Sequence, residues 1–219
     1  MPIDATRTTT SIRAAYLDAA SSAAALLAEP AVAKAWTEPS ALAKFQLSGL
    51  AGHLASQILA VPRVLDTPVP DEEPATLLGH YDRGAWIDVD VDDEVNVGSR
   101  HSGEQTAAAG AAELARQVQA TVANLGAALA AEPADRVVHL SGRWSLRLDD
   151  FLITRMMEIA VHSDDLAVSV GVAAPELPDD VVGPVLELLV QLAVRRHGSA
   201  ALLRAFSRAE RAPGTVAAF

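Results

Sequence analysis

FLITRMMEIAVHSDDLAVSVG, residues 151–171, is the segment whose reading decides the fold. It follows Asp149 and Asp150, either of which suits a helix N-cap, and closes on Gly171, a residue type that commonly ends helices. On a helix turning about 100° per residue, with Glu158 at zero, His162 falls about 40° away, Arg155 about 60° away and Asp165 about 20° to the other side. These four residues make one narrow polar stripe. Apart from Phe151 and the closing Gly171, almost everything else is Met, Ile, Leu, Val or Ala, the exceptions being Thr154, Ser163, Asp164 and Ser169. Such a stripe is either a solvent face whose charges pair locally, or an inward face that gathers ligands. A carboxylate and an imidazole four residues apart reach one point above a helix, a spacing that recurs in metal sites inside bundles.

The complement lies upstream, in FQLSGLAGHLASQILAV, residues 45–61. Leu47, Leu50, Leu54, Ile58 and Val61 form its apolar stripe, with His53 at the margin. Gly49 and Ala60 lie on the side of His53, where a neighbouring helix or ligand can come close. Taken alone, His53 reads equally as an edge-of-core histidine.

Around these two segments the chain reads as helical. Thr8 to Ser11 is an N-cap region for a helix from about Ile12 to Ala28. Pro30 and Pro39 bracket a short connection carrying Trp36, and Ser40 caps the helix that runs from about Ala41 to Val61, before Pro62. Residues 62–101 read as a long irregular segment holding the acidic run Asp88, Asp90, Asp92, Asp93 and Glu94, a solvated loop without the spacing of a calcium site. Leu114, Val118, Thr121, Leu125 and Leu129 mark a helix over roughly Gly103 to Ala131. Val137 to Leu148 reads as a short hairpin or an extended link. The tail holds two helices, from about Asp179 to Arg196 and from Ser199 to Arg211, with Arg204, Arg208 and Arg211 on one face of the second. The fold class is therefore all-α: a four-helix bundle over residues 1–172 and a helical C-terminal extension over 173–219.

Composition narrows the function. Half of the 219 residues are hydrophobic but only 4% are aromatic, which suits closely packed Ala-rich helices. Twenty-eight acidic against 17 basic side chains, net −11, disfavour nucleic acid and anionic membranes. No stretch resembles a signal peptide or a membrane span, so a cytoplasmic location is expected. There is no cysteine, hence no disulfide and no thiolate ligand or nucleophile of the chain's own. His80, His101, His139 and His197 have no ligand-spaced partner and read as loop or surface residues. Trp36, Trp86 and Trp144 read as packing residues.

Trp36, Pro39 and Ser40 followed by GLAGHL (49–54), together with TRMMEIAVHSDDL (154–166), resemble the two signatures of the DinB-like, mycothiol-dependent maleylpyruvate isomerase family. The likeness spans roughly residues 10–172, and the tail RHGSAALLRAFSRAER resembles the C-terminal stretches of actinobacterial members. The resemblance implies a DinB-like bundle with a divalent metal, usually zinc, held by His53, Glu158 and His162. Many DinB-like proteins use three histidines, and Glu158 sets this chain nearer the mycothiol-dependent branch. The implied chemistry is that of a metal-dependent isomerase or S-transferase. The metal would bind the thiol of mycothiol, a low-molecular-weight cosubstrate, for attack on a small-molecule electrophile. Asp165 would orient His162, and Arg155 would pair with Glu158 or with a substrate carboxylate. Family isomerases tend to carry a larger C-terminal domain at the active site, whereas about 45 residues follow the bundle here. The competing readings are a non-catalytic metal-binding bundle with a structural or stress-related role, and a small-molecule-binding module that forms a homodimer through the tail.

Overall fold

The computed structural model describes residues 11–83, 92–140 and 144–219. Its helices are α1 (Ile12–Leu27), α2 (Pro30–Lys34), α3 (Leu47–Leu65), α4 (Leu77–Arg83), α5 (Glu94–Thr106), α6 (Ala111–Ala131), α7 (Leu148–Val170), α8 (Asp179–His197) and α9 (Ser199–Ser207). A hairpin of β1 (Val137–His139) and β2 (Ser145–Arg147) pairs Val138 with Leu146 in antiparallel register. The fold is mostly helical and is built around a bundle. Four helices form it: α1 and α3 are diagonal, and each packs against both α6 and α7. Small side chains make this closeness possible, since α1 buries Ala15, Ala19, Ala20, Ala23 and Ala24. Its Tyr16 crosses the core, and the hydroxyl donates to the Gln57 carbonyl at 3.2 Å. In the tail, α8 packs on α7 and α1, and α9 on α8.

Ser11 caps α1 through its side chain, accepting from the Ala14 N–H at 3.2 Å; Thr8 to Thr10 lie outside the described residues. Pro30 starts a short helix, where its missing N–H costs nothing. The helix expected from Ala41 begins instead at Leu47. Residues 41–46 turn back on themselves, with Lys44 at φ 65° and a bridge between Pro39 and Gln46. The same helix passes Pro62 and ends at Leu65, because a proline one turn from the end forfeits little of the hydrogen-bond ladder. Arg147 is the N-cap residue of α7, leaving Asp149 and Asp150 in its first turn, where their charge suits the helix dipole.

The segment expected to be irregular contains α4 and most of α5. The single helix expected over 103–131 is two, α5 and α6, broken at Gly110 with φ 90°. No apolar periodicity announces α5, because it is not held by an apolar stripe. It is held by backbone approach to α3: a Cβ on Gly52 would stand 2.0 Å from the Gly103 carbonyl oxygen, and one on Gly103 would stand 2.3 Å from that of Gly49. The last helix is also shorter than expected. It stops at Ser207, and Arg211 sits in a separate 3₁₀ turn, Ala209–Arg211, so the three arginines share no single helical face.

Candidate metal centre

The polar stripe of α7 faces inward. Across from it His53, in the second turn of α3, extends its ring toward the same point. His53 Nε2 lies 3.4 Å and His162 Nε2 lies 3.2 Å from Glu158 Oε2, and the three ligand atoms all lie within 4.8 Å of one another. The two imidazole rings meet edge to face, 4.8 Å between centroids. Among the described residues this is the sole grouping of three or more His, Asp or Glu side chains that converges so closely. Nitrogen and oxygen ligands at about 2.0–2.2 Å around a tetrahedral ion stand roughly 3.3 Å apart, so the donor set fits a divalent cation. The site is not sealed: the three side chains keep 18–20% of their surface exposed.

Burial opposes ionisation of Glu158. Hydrogen bonds from His162 and His53 and the charge of Arg155 prevail over it, and they hold the carboxyl well below the usual range. Burial likewise opposes a charged His162, but the carboxylates of Asp165 and Glu158 push its pKa up to about 9. Asp165 lies 3.0 Å from His162 Nδ1, so that nitrogen carries hydrogen and Nε2 is the atom turned to the cluster. Asp165 sits in turn above Ser169, whose hydroxyl donates to the Asp165 carbonyl and accepts from the Ala41 N–H.

Arg155 makes no direct bond to Glu158. Its Nη1 donates to Gln57 Oε1 at 2.5 Å and its Nε to Thr154 Oγ1 at 3.1 Å, and the guanidinium lies 5.2 Å from the centre of the Phe151 ring. Gln57 is the residue that sequence reasoning missed. One turn beyond His53 on α3, it is buried, and its amide nitrogen lies 3.3 Å from His53 Nε2. The i, i+4 spacing was a signal available in the sequence. Tyr81 on α4 is close enough for the Glu158 charge to bear on it. Burial first, and then that charge, push its phenol far above the ordinary tyrosine value.

The remaining histidines lie outside the cluster. His80 is a correction: it is neither loop nor surface but buried on α4, where its Nδ1 accepts from Trp144 Nε1 at 3.1 Å. His101 is exposed beside Gln105, His139 lies beside Glu72 and Ser145, and His197 beside the Ala217 carbonyl. Trp36 and Trp144 pack on the core, while Trp86, Asp88 and Asp90 fall outside the described residues. Asp92 pairs with Lys44.

Residues 16–167 match the model of the mycothiol maleylpyruvate isomerase N-terminal domain. The chain belongs to that family. The match spans the bundle from the first turns of α1 into the last turn of α7, and so includes both helices that carry the His53, Glu158 and His162 cluster. Among solved structures, that of the mycothiol-dependent maleylpyruvate isomerase is similar with a TM-score of 0.52. It has 15% identity, over 84% of this chain and 67% of that one. No curated protein matches the sequence. No helix among the described residues is long and apolar enough to cross a membrane.

Proposed function

We propose that this protein is a metal-dependent enzyme of the isomerase or S-transferase type that activates mycothiol for attack on a small electrophile. The observation that carries the reading is the convergence of His53, Glu158 and His162 in a site still open on one side. Three protein ligands with an accessible remaining position are the catalytic rather than the structural pattern. A divalent cation bound there, zinc by preference for this donor set, would supply a Lewis acid that lowers the pKa of a thiol.

The chain's own residues account for the rest. Glu158 remains ionised and provides the negative charge of the ligand set. Asp165 holds the His162 ring so that Nε2 faces the cluster. Arg155, in the same stripe, offsets the Glu158 charge and would be the partner for a substrate carboxylate. The chain has no cysteine, so the nucleophilic sulfur comes from outside. Family membership favours mycothiol as its source.

The test is conjugation of mycothiol to a chromogenic electrophile, before and after chelator treatment and zinc restoration. Activity should vanish with the metal and return with it. Thiol transfer that survives complete metal removal overturns the mechanism, and a metal-loaded protein inert toward every thiol tried favours the non-catalytic bundle.

A further inference from the structure

We infer that this chain forms a two-fold symmetric dimer, in which the basic helix α9 of one copy docks into the acidic-edged groove between α7 and α8 of the other.

The C-terminal extension leaves two complementary features uncovered. One is a groove of about 330 Å³ between α7 and α8, lined by Val161, Val182, Val185 and Leu189 and edged by Asp164 and Asp165. The other is α9, whose Leu203 and Phe206, three residues apart, are 68% and 69% exposed. Arg204 and Arg208 stand exposed beside them. Large apolar side chains so open to water on a short helix mark a contact surface, and their i, i+3 spacing is that of anchors which seat a helix in a groove.

Charge names the occupant. The chain carries a net −11, so copies repel one another over most approaches. The extension divides that charge. Residues 173–190 hold four acidic side chains and no Lys or Arg, whereas residues 191–219 hold five Arg against one Glu. An antiparallel approach of two copies sets the acidic half of each on the basic half of the other, and a parallel one sets like on like. Between the halves, α8 carries an outward apolar stripe of Leu186, Val190 and Val194, one turn apart. A two-fold axis at Val190 places Leu186 of each copy against Val194 of the other. The same axis brings the start of α9 of one copy to the groove of the other, because Gly198 and Val182 both lie eight residues, about 12 Å, from Val190. Each copy gives one helix and one groove, so the assembly closes at two.

Sedimentation velocity of the full chain tests the dimer. Wild type should be dimeric at about 10 μM and above. Leu203→Asp combined with Phe206→Asp should weaken dimerisation by at least about 100-fold. Circular dichroism should stay unchanged, because both side chains lie outside the core. Asp164→Arg and Arg204→Asp should each weaken dimerisation about tenfold, and combining them should restore most of it. That rescue requires α9 of one copy to meet the groove of the other. Wild type that stays monomeric at about 100 μM overturns the proposal; if it then cosediments with anionic vesicles, α9 is a membrane contact instead. A dimer indifferent to the Leu203→Asp and Phe206→Asp pair, or charge variants without mutual rescue, overturns the docking of α9 in the groove.

Discussion

Two polar clusters sit inside this bundle and follow opposite rules. Where α6 ends, Arg13 of α1 donates to the carbonyls of Leu129, Glu132 and Pro133 and to the Asp149 carboxylate. Arg136 does the same nearby for the carbonyls of Leu65 and Thr67 at the end of α3. These acceptors are the orphan carbonyls that helix ends leave, and the arginines satisfy them. The α3–α7 cluster instead aims two imidazole nitrogens and a carboxylate oxygen at one point. In the first cluster each guanidinium is matched by acceptors already present, the Glu132 carboxylate standing 3.0 Å from Arg136 Nε, so no further cation is called for. The second concentrates lone pairs and is balanced by a cation. In the metal-free chain that cation is the proton on His162, whose pKa lies at about 9. A buried polar group identifies itself as structural or functional by this count more than by its burial.

The largest test of the contrast is His53→Ala. It should cost several hundred-fold in zinc affinity, about a third of the ~10 kcal/mol that such sites supply, with little loss of fold stability. Elemental analysis of purified protein reads it directly, and full retention of metal would place the site elsewhere. Arg13→Ala should show the reverse pattern. Unfolding in urea should reveal a loss of about 2 kcal/mol, because several partly buried acceptors lose a charged donor, while zinc affinity of the folded fraction stays the same. A change in both properties would mean that the two clusters are coupled through α7. Asp165→Asn comes next, weakening zinc binding about tenfold by releasing the His162 ring, measured by chelator competition.

The last test is the dependence of stability on pH. His162 has its folded pKa raised from 6.5 to about 9, so its contribution to the metal-free fold is full below about pH 6.5. That contribution is lost as pH rises through about 9. Glu158 has its folded pKa lowered, so its contribution is present above its ordinary value of 4.5 and fades only in acid below it. Urea unfolding of metal-free protein should therefore weaken between pH 6.5 and 9. Bound metal replaces the His162 proton and should flatten that slope. An equal slope with and without metal would show that zinc does not contact His162.

Much of this architecture was legible beforehand, and the exceptions share a cause. The bundle helices α1, α6 and α7 carry apolar periodicity or caps, and both segments of the His53, Glu158 and His162 cluster were readable as helices. The α4 and α5 segments carried no such pattern, since α5 is held by Gly52 and Gly103 touching backbone to backbone rather than by an apolar stripe. His80 was read as a surface residue because its partner, Trp144, lies far along the chain. Gln57 went unnoticed because a glutamine one turn from a histidine is ordinary until an arginine from another helix fixes which way its amide points.

By itself, the sequence determined that Arg155, Glu158, His162 and Asp165 share one face, that half the chain is apolar enough to build a core, and that any thiol chemistry here must use an external sulfur. Only the tertiary structure decided that this face turns inward to meet His53, and that its Arg155 bonds to Gln57 of the facing helix. The physical reason is that helical periodicity sets angles between residues on one helix. The rotation of that helix about its axis is set by packing against neighbours distant in sequence.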